Sequence, residues 1–125
     1  MRQRIMIVDD NSQRLISLRK VLEIDEYEVK ISSDFYTIVE SMSENAPDLV
    51  VINMLMSSVN GFRAIKLIRT QSNVPVIAIF GIKEWESIDK AFTYGADDYL
   101  IQPFNNRVFL ARVAAKLKRI RVPVS

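Results

Sequence analysis

Two adjacent carboxylates, Asp9 and Asp10, follow directly on the apolar run Ile5-Met6-Ile7-Val8. Charges leaving a buried strand are costly unless they are solvated, paired or bound to a metal. Two readings fit this spacing. The pair can supply oxygen ligands to a magnesium-like ion, or it can sit as acids at the start of a helix, where the macrodipole favours negative charge. Three other apolar runs end on residues that would reach the same region. These are Asn53 after Leu49–Ile52, Phe80 and Gly81 at the end of the run from Val76, and Gln102 with Pro103 after Tyr99–Ile101. The chain contains no cysteine and no histidine. A thiol nucleophile, an imidazole base, a disulfide framework and a Cys/His zinc site are therefore excluded. Any metal would have to be held by carboxylates, amides and water.

The elements that must position these groups alternate strictly. Ile5–Val8, Tyr27–Ile31, Leu49–Ile52, Val76–Phe80 and Tyr99–Ile101 read as strands. Residues 12–24, 34–44, 61–70, 84–94 and 105–120 carry apolar residues at helical spacing, with Ser12 as a candidate cap for the first helix. Near-continuous apolar strands imply burial on both faces, as in a parallel sheet covered by helices. Right-handed crossovers then build a doubly wound α/β fold of five strand–helix units, (βα)5. In such sheets functional groups collect beyond the carboxyl ends of the strands.

Length and charge set outer bounds. At 125 residues, 49% of them hydrophobic, residues 1–125 read as one ordered unit with an ample core. No apolar run approaches the roughly 20 residues needed to span a bilayer, and no signal-peptide pattern is present, so a cytoplasmic location is expected. The net charge of +2 is uneven. Residues 105–125 carry six bases and no acid, and the rest of the chain carries 11 bases against 15 acids. A basic end can bind nucleic acid, but a solvated helix face is the expectation here.

The motifs together resemble the receiver domains of response regulators. Ile7-Val8-Asp9-Asp10-Asn11 is similar to the family's acidic pair, and the stretch Pro47–Phe62 (PDLVVINMLMSSVNGF) is similar to its acceptor strand and loop. Gly95-Ala96-Asp97-Asp98-Tyr99-Leu100-Ile101-Gln102-Pro103-Phe104 resembles its fifth strand and the turn after it. The resemblance spans essentially the whole chain. It implies a flavodoxin-like fold with a five-stranded parallel sheet in strand order 2-1-3-4-5. The segment from Phe104 to Val113 further resembles receivers that precede winged-helix DNA-binding domains.

The same resemblance implies a phosphoacceptor aspartate at position 53, a hydroxyl at position 80 and a lysine at position 102. The chain has Asn53, Phe80 and Gln102 instead. A carboxamide cannot form an acyl phosphate, and Gln102 takes away a charge that would face phosphoryl oxygens. A phosphorylation-independent, non-enzymatic signalling and interaction domain is therefore expected. It should need no cofactor and bind Mg2+ at most weakly, through Asp9, Asp10 and Asn53. The Asn53 and Gln102 amides are expected to hydrogen-bond each other, directly or through water. Tyr99, at the family's switch aromatic, is expected to meet Phe80 edge to face.

Partners are expected to be an attached effector domain, a partner protein, or a second copy. The last would bind through the face of the fourth helix, fifth strand and fifth helix, where Glu84, Glu86, Asp89, Asp97 and Asp98 oppose Arg112, Lys116 and Arg119. The same charges can pair within one chain. The alternatives are a phosphorelay receiver with an unorthodox acceptor (Asp10, Ser57 or Ser58) and the N-terminal receiver of a DNA-binding regulator, although direct nucleic-acid binding by this domain alone is not expected.

Overall fold

The structure, a computed structural model, describes residues 2–56 and 59–121, the last three by backbone alone. Five parallel strands, β1 (Arg4–Val8), β2 (Glu28–Ser32), β3 (Leu49–Asn53), β4 (Val76–Gly81) and β5 (Asp98–Gln102), form one sheet in the order β2-β1-β3-β4-β5. Between and after them run α1 (Ser12–Ile24), α2 (Phe35–Glu44), α3 (Gly61–Arg69), α4 (Ile88–Tyr94) and α5 (Asn106–Arg121). This is the flavodoxin-like arrangement that the resemblance implies.

Strand periodicity divides the core into two layers. Met6, Val8, Val50, Ile52, Val76, Ala78 and Phe80 face one way, packing with Ile38 and Met42 of α2 and Ala64, Ile65 and Ile68 of α3. Ile5, Ile7, Leu49, Val51, Ile77 and Ile79 face the other, against Leu18 and Leu22 of α1 and Phe109, Val113 and Leu117 of α5. All five residues of β3 are buried, so the residue that ends it is delivered into the interior and not to the surface.

Local chemistry starts the helices where that architecture needs them. Asn11, rather than Ser12, caps α1, its Oδ1 accepting from Arg14 N at 3.0 Å. An Asn side chain reaches the third helical N–H from the residue before the helix, whereas Ser12 is already inside it. Asp34 and Thr37 form a reciprocal capping box on α2, and Asn60 caps α3. The segment expected as one helix over 84–94 is instead a 3₁₀ stretch, Ile82–Ser87, followed by α4. Neither Gly81 nor Ser87 supplies a side-chain cap, and an uncapped start leaves its first N–H groups to tighter turns.

At the amino edge of the sheet, Arg69 acts as a strut. Its guanidinium donates to Gly95 O (2.9 Å), Val74 O (2.6 Å) and Asp97 Oδ2 (2.8 Å), tying the end of α3 to both neighbouring loops. Gly95 has φ 120°, and a Cβ there would lie 2.7 Å from Arg69 Cγ, so both backbone conformation and space require glycine.

Candidate functional site

Asp9 follows directly on β1, next to the end of β3, at the carboxyl edge of the parallel sheet. Its side chain is fully buried, and an ionised carboxylate in that position must be matched by donors. Five are present. Oδ1 accepts from Asp10 N (2.8 Å), Asn11 N (3.1 Å) and Arg14 Nη2 (2.7 Å), while Oδ2 accepts from Arg14 Nε (2.9 Å) and Asn53 Nδ2 (3.0 Å). The Arg14 contact is the bidentate fork that suits guanidinium to carboxylate. It holds the Arg14 proton more tightly than usual, through the hydrogen bonds to Asp9 first and the charges of Asp9 and Asp10 after that. Asp10 lies 3.9 Å from the same guanidinium.

Asn53 is fully buried and uses both ends of its amide. Nδ2 donates to Asp9, and Oδ1 accepts from Leu55 N at 2.9 Å. The direct bond expected between the Asn53 and Gln102 amides is not made: Asn53 bonds to Asp9 and Leu55 instead. In the strand register Asn53 is level with Ile79, whereas Gln102 is level with Gly81, so β4 and a two-residue stagger separate them. Gln102 lines an open groove with Gln13, Arg14, Ser17, Pro103 and Asn106, between α1 and the β5–α5 connection. The Gln102–Pro103 peptide bond is cis.

Phe80 is buried in the core layer facing α3. The edge-to-face partner of Tyr99 is Phe92 and not the expected Phe80, at 6.0 Å between centroids and 87° between planes. Tyr99 is level with Ala78 and Phe80 with Ile101; the stagger of two residues lets α4 supply the nearer ring. Phe80 and Tyr99 still share a core layer without forming a ring pair.

Four of the charged residues expected at a dimer face, Asp97, Asp98, Arg112 and Lys116, are paired within the chain. Asp98 accepts from Arg112 Nη1 (2.6 Å) and lies 3.9 Å from Lys116 Nζ, and Asp97 accepts from Arg69 and from Val76 N. Glu84 belongs to the 3₁₀ stretch, with its carboxylate turned back over Gly81. Asp89 stands in the first turn of α4, and Glu86 in the 3₁₀ stretch. The Arg119 side chain, Ser57 and Ser58 lie outside the described residues.

The residue that sequence reasoning missed is Arg14. A signal for it exists: a cation in the first turn of a helix opposes the macrodipole by about 0.3–1 kcal/mol, so a base at that position calls for a nearby acid, and Asp9 and Asp10 precede it by five and four residues.

A family model described as the response regulator receiver domain matches residues 5–114. With the sheet order and the site at its carboxyl edge, the match places this chain in the response regulator receiver domain family. Among its relatives, the DNA-binding response regulator MtrA of Mycobacterium tuberculosis is 30% identical over 119 residues, covering 95% of this chain and 52% of MtrA. The transcriptional regulatory protein PrrA of the same species is 33% identical over 117 residues, covering 93% and 50%. The chain thus spans about half the length of the curated relatives it matches. A two-component response regulator from Clostridium difficile superposes with a TM-score of 0.89 at 27% identity, over 97% of this chain and all of that one. NtrX from Brucella abortus shares the fold at 22% identity, with a TM-score of 0.88 over 95% of this chain and 27% of its own.

Proposed function

We propose that this chain is a receiver that signals without phosphorylation, through contacts with an attached effector domain, a partner protein or a second copy of itself. The observation that carries the reading is the buried carboxamide of Asn53 at the end of β3, bonded to Asp9 and to Leu55 N. Phosphoryl transfer to a receiver needs an anionic oxygen there to attack phosphorus as the leaving group departs. An amide oxygen carries no full charge, and the nitrogen lone pair is delocalised into the carbonyl. Two neighbouring substitutions support the same reading. Phe80 brings no hydroxyl to follow a phosphate, and Gln102 brings no charge to neutralise one. On this reading the domain is not an enzyme, and its pocket is structural.

The test is incubation with acetyl phosphate and Mg2+, followed by intact mass. The expected result is no phosphoryl mass on the chain. A stoichiometric adduct overturns the reading and, mapped by peptide mass, tells Asp10, Ser57 and Ser58 apart as unorthodox acceptors.

The relatives named as DNA-binding and transcriptional regulators extend past the matched half, so the effector we propose is a DNA-binding domain attached to this one. The receiver alone is not expected to bind nucleic acid. Among the described residues no helix is long and apolar enough to cross a membrane, and a cytoplasmic site of action suits this role. For a second copy we propose the face on which Phe92 of α4 meets Tyr99 of β5, whose carbonyl in turn accepts from Arg112 of α5.

A further inference from the structure

We propose that Arg14 is the resident cation of the carboxylate pocket and keeps divalent metal out of it. This goes beyond the phosphorylation-independent reading, which rests on Asn53 and would stand with or without a bound ion. A magnesium-like ion requires oxygen lone pairs directed at it in near-octahedral array. Ionised Asp9 has about four lone-pair sites, and five donors already occupy its two oxygens. The oxygen of Asn53 has one of its two lone pairs engaged by Leu55 N, and Asp10, the third candidate ligand, faces the same guanidinium at 3.9 Å. Among the described residues no three acids converge to hold a metal ion. The donors therefore do not fit a divalent ion while Arg14 is in place, and an ion entering beside the guanidinium would also meet a like charge.

Arginine is suited to win this competition. It stays charged at every biological pH, is more weakly hydrated than an ammonium, and presents a planar fork that meets both carboxylate oxygens together. Its place on the first turn of α1 makes the contact intramolecular, so its effective concentration is set by helix geometry and not by the solution. The side chain is 28% exposed along the groove beside Ser17 and Gln102, which gives it a path by which to leave.

The experiment is a titration of the chain and of Arg14→Met and Arg14→Lys with Mn2+, read by water-proton relaxation and by thermal midpoint. For the native chain the expected result is no saturable site and an unmoved midpoint. Arg14→Met keeps an apolar stem without the charge. It should bind Mn2+ saturably, at least about tenfold tighter than the native chain, with a midpoint that rises with Mn2+ concentration by mass action. Arg14→Lys, a point charge without the fork, should fall between them. Native binding as tight as that of Arg14→Met overturns the inference, and so does a folded Arg14→Met that binds no Mn2+. Where Arg14→Met does not fold, Arg14→Lys decides: saturable binding tighter than native supports the inference, and equal binding overturns it. No phosphoryl donor enters this test, so its outcome is separate from that of the acetyl phosphate experiment.

Discussion

At the scale of single residues, the pocket shows how one amide substitution propagates. With Asn53 in place, Asp9 gains a donor where a carboxylate would be a second negative charge. Among the described residues no buried side-chain nitrogen or oxygen lacks a partner, so the network is complete as it stands. Restoring a carboxylate should therefore harm the protein rather than repair it. Asn53→Asp removes the bond to Asp9 and sets two buried carboxylates against one guanidinium. We expect it to cost about 2–3 kcal/mol at neutral pH, read as a lower denaturant midpoint at unchanged slope. It should also still label poorly with acetyl phosphate, since Phe80 and Gln102 remain. A variant of native stability would show that the bond to Asp9 contributes little.

At the scale of elements, the helix starts carry the testable electrostatics. The Asp34 carboxylate accepts from Thr37 N at 2.8 Å and from Thr37 Oγ1 at 2.9 Å. These bonds, the backbone one foremost, hold its pKa below the usual carboxylate range. A group whose folded pKa is depressed adds stability that is fully present above its unfolded pKa and lost as pH falls through the folded value. The stability difference between the native chain and Asp34→Ala should accordingly be constant near neutrality and shrink in acid. Paired denaturation curves across that range check it; a gap that persists unchanged at the acid end contradicts the cap. Backbone conformation matters at the far end of α1 as well. Glu26, at φ 68°, occupies the left-handed position of a Schellman cap, with Tyr27 N bonded to Leu22 O and Glu26 N to Glu23 O.

At the scale of the molecule, internal pairing changes what a dimer would look like. Asp98 is held by Arg112 and Lys116, and Asp97 by Arg69, so these charges are already matched before a second copy arrives. Any association through Phe92 and Tyr99 should then rest on apolar area, with little help from exposed pairs, which contribute only about 0.2–1 kcal/mol each. Sedimentation at low and high salt should give similar association constants, and Phe92→Ser should weaken association at both. A steep fall with salt would mean that the charges bridge subunits after all.

Much of this protein could be read before any coordinates. The alternation of apolar runs with helical periods specifies five strands and five helices, and the unbroken apolar runs of β1, β3 and β4 mark the strands buried on both faces, which cannot tolerate polar residues along their length. The same pattern places Asp9, Asn53, Phe80 and Gln102 at strand ends, and residue chemistry alone tells a carboxamide from a carboxylate. What the linear pattern leaves open is which partner each group takes. Asn53 bonds to Asp9 and not to Gln102, and Tyr99 meets Phe92 and not Phe80, because strand stagger and sheet order set those distances. Arg14 closes over Asp9 because Asn11 starts α1 at the point that aims its first turn back at the pocket. Pairing is a property of three-dimensional register, and only the folded chain determines it.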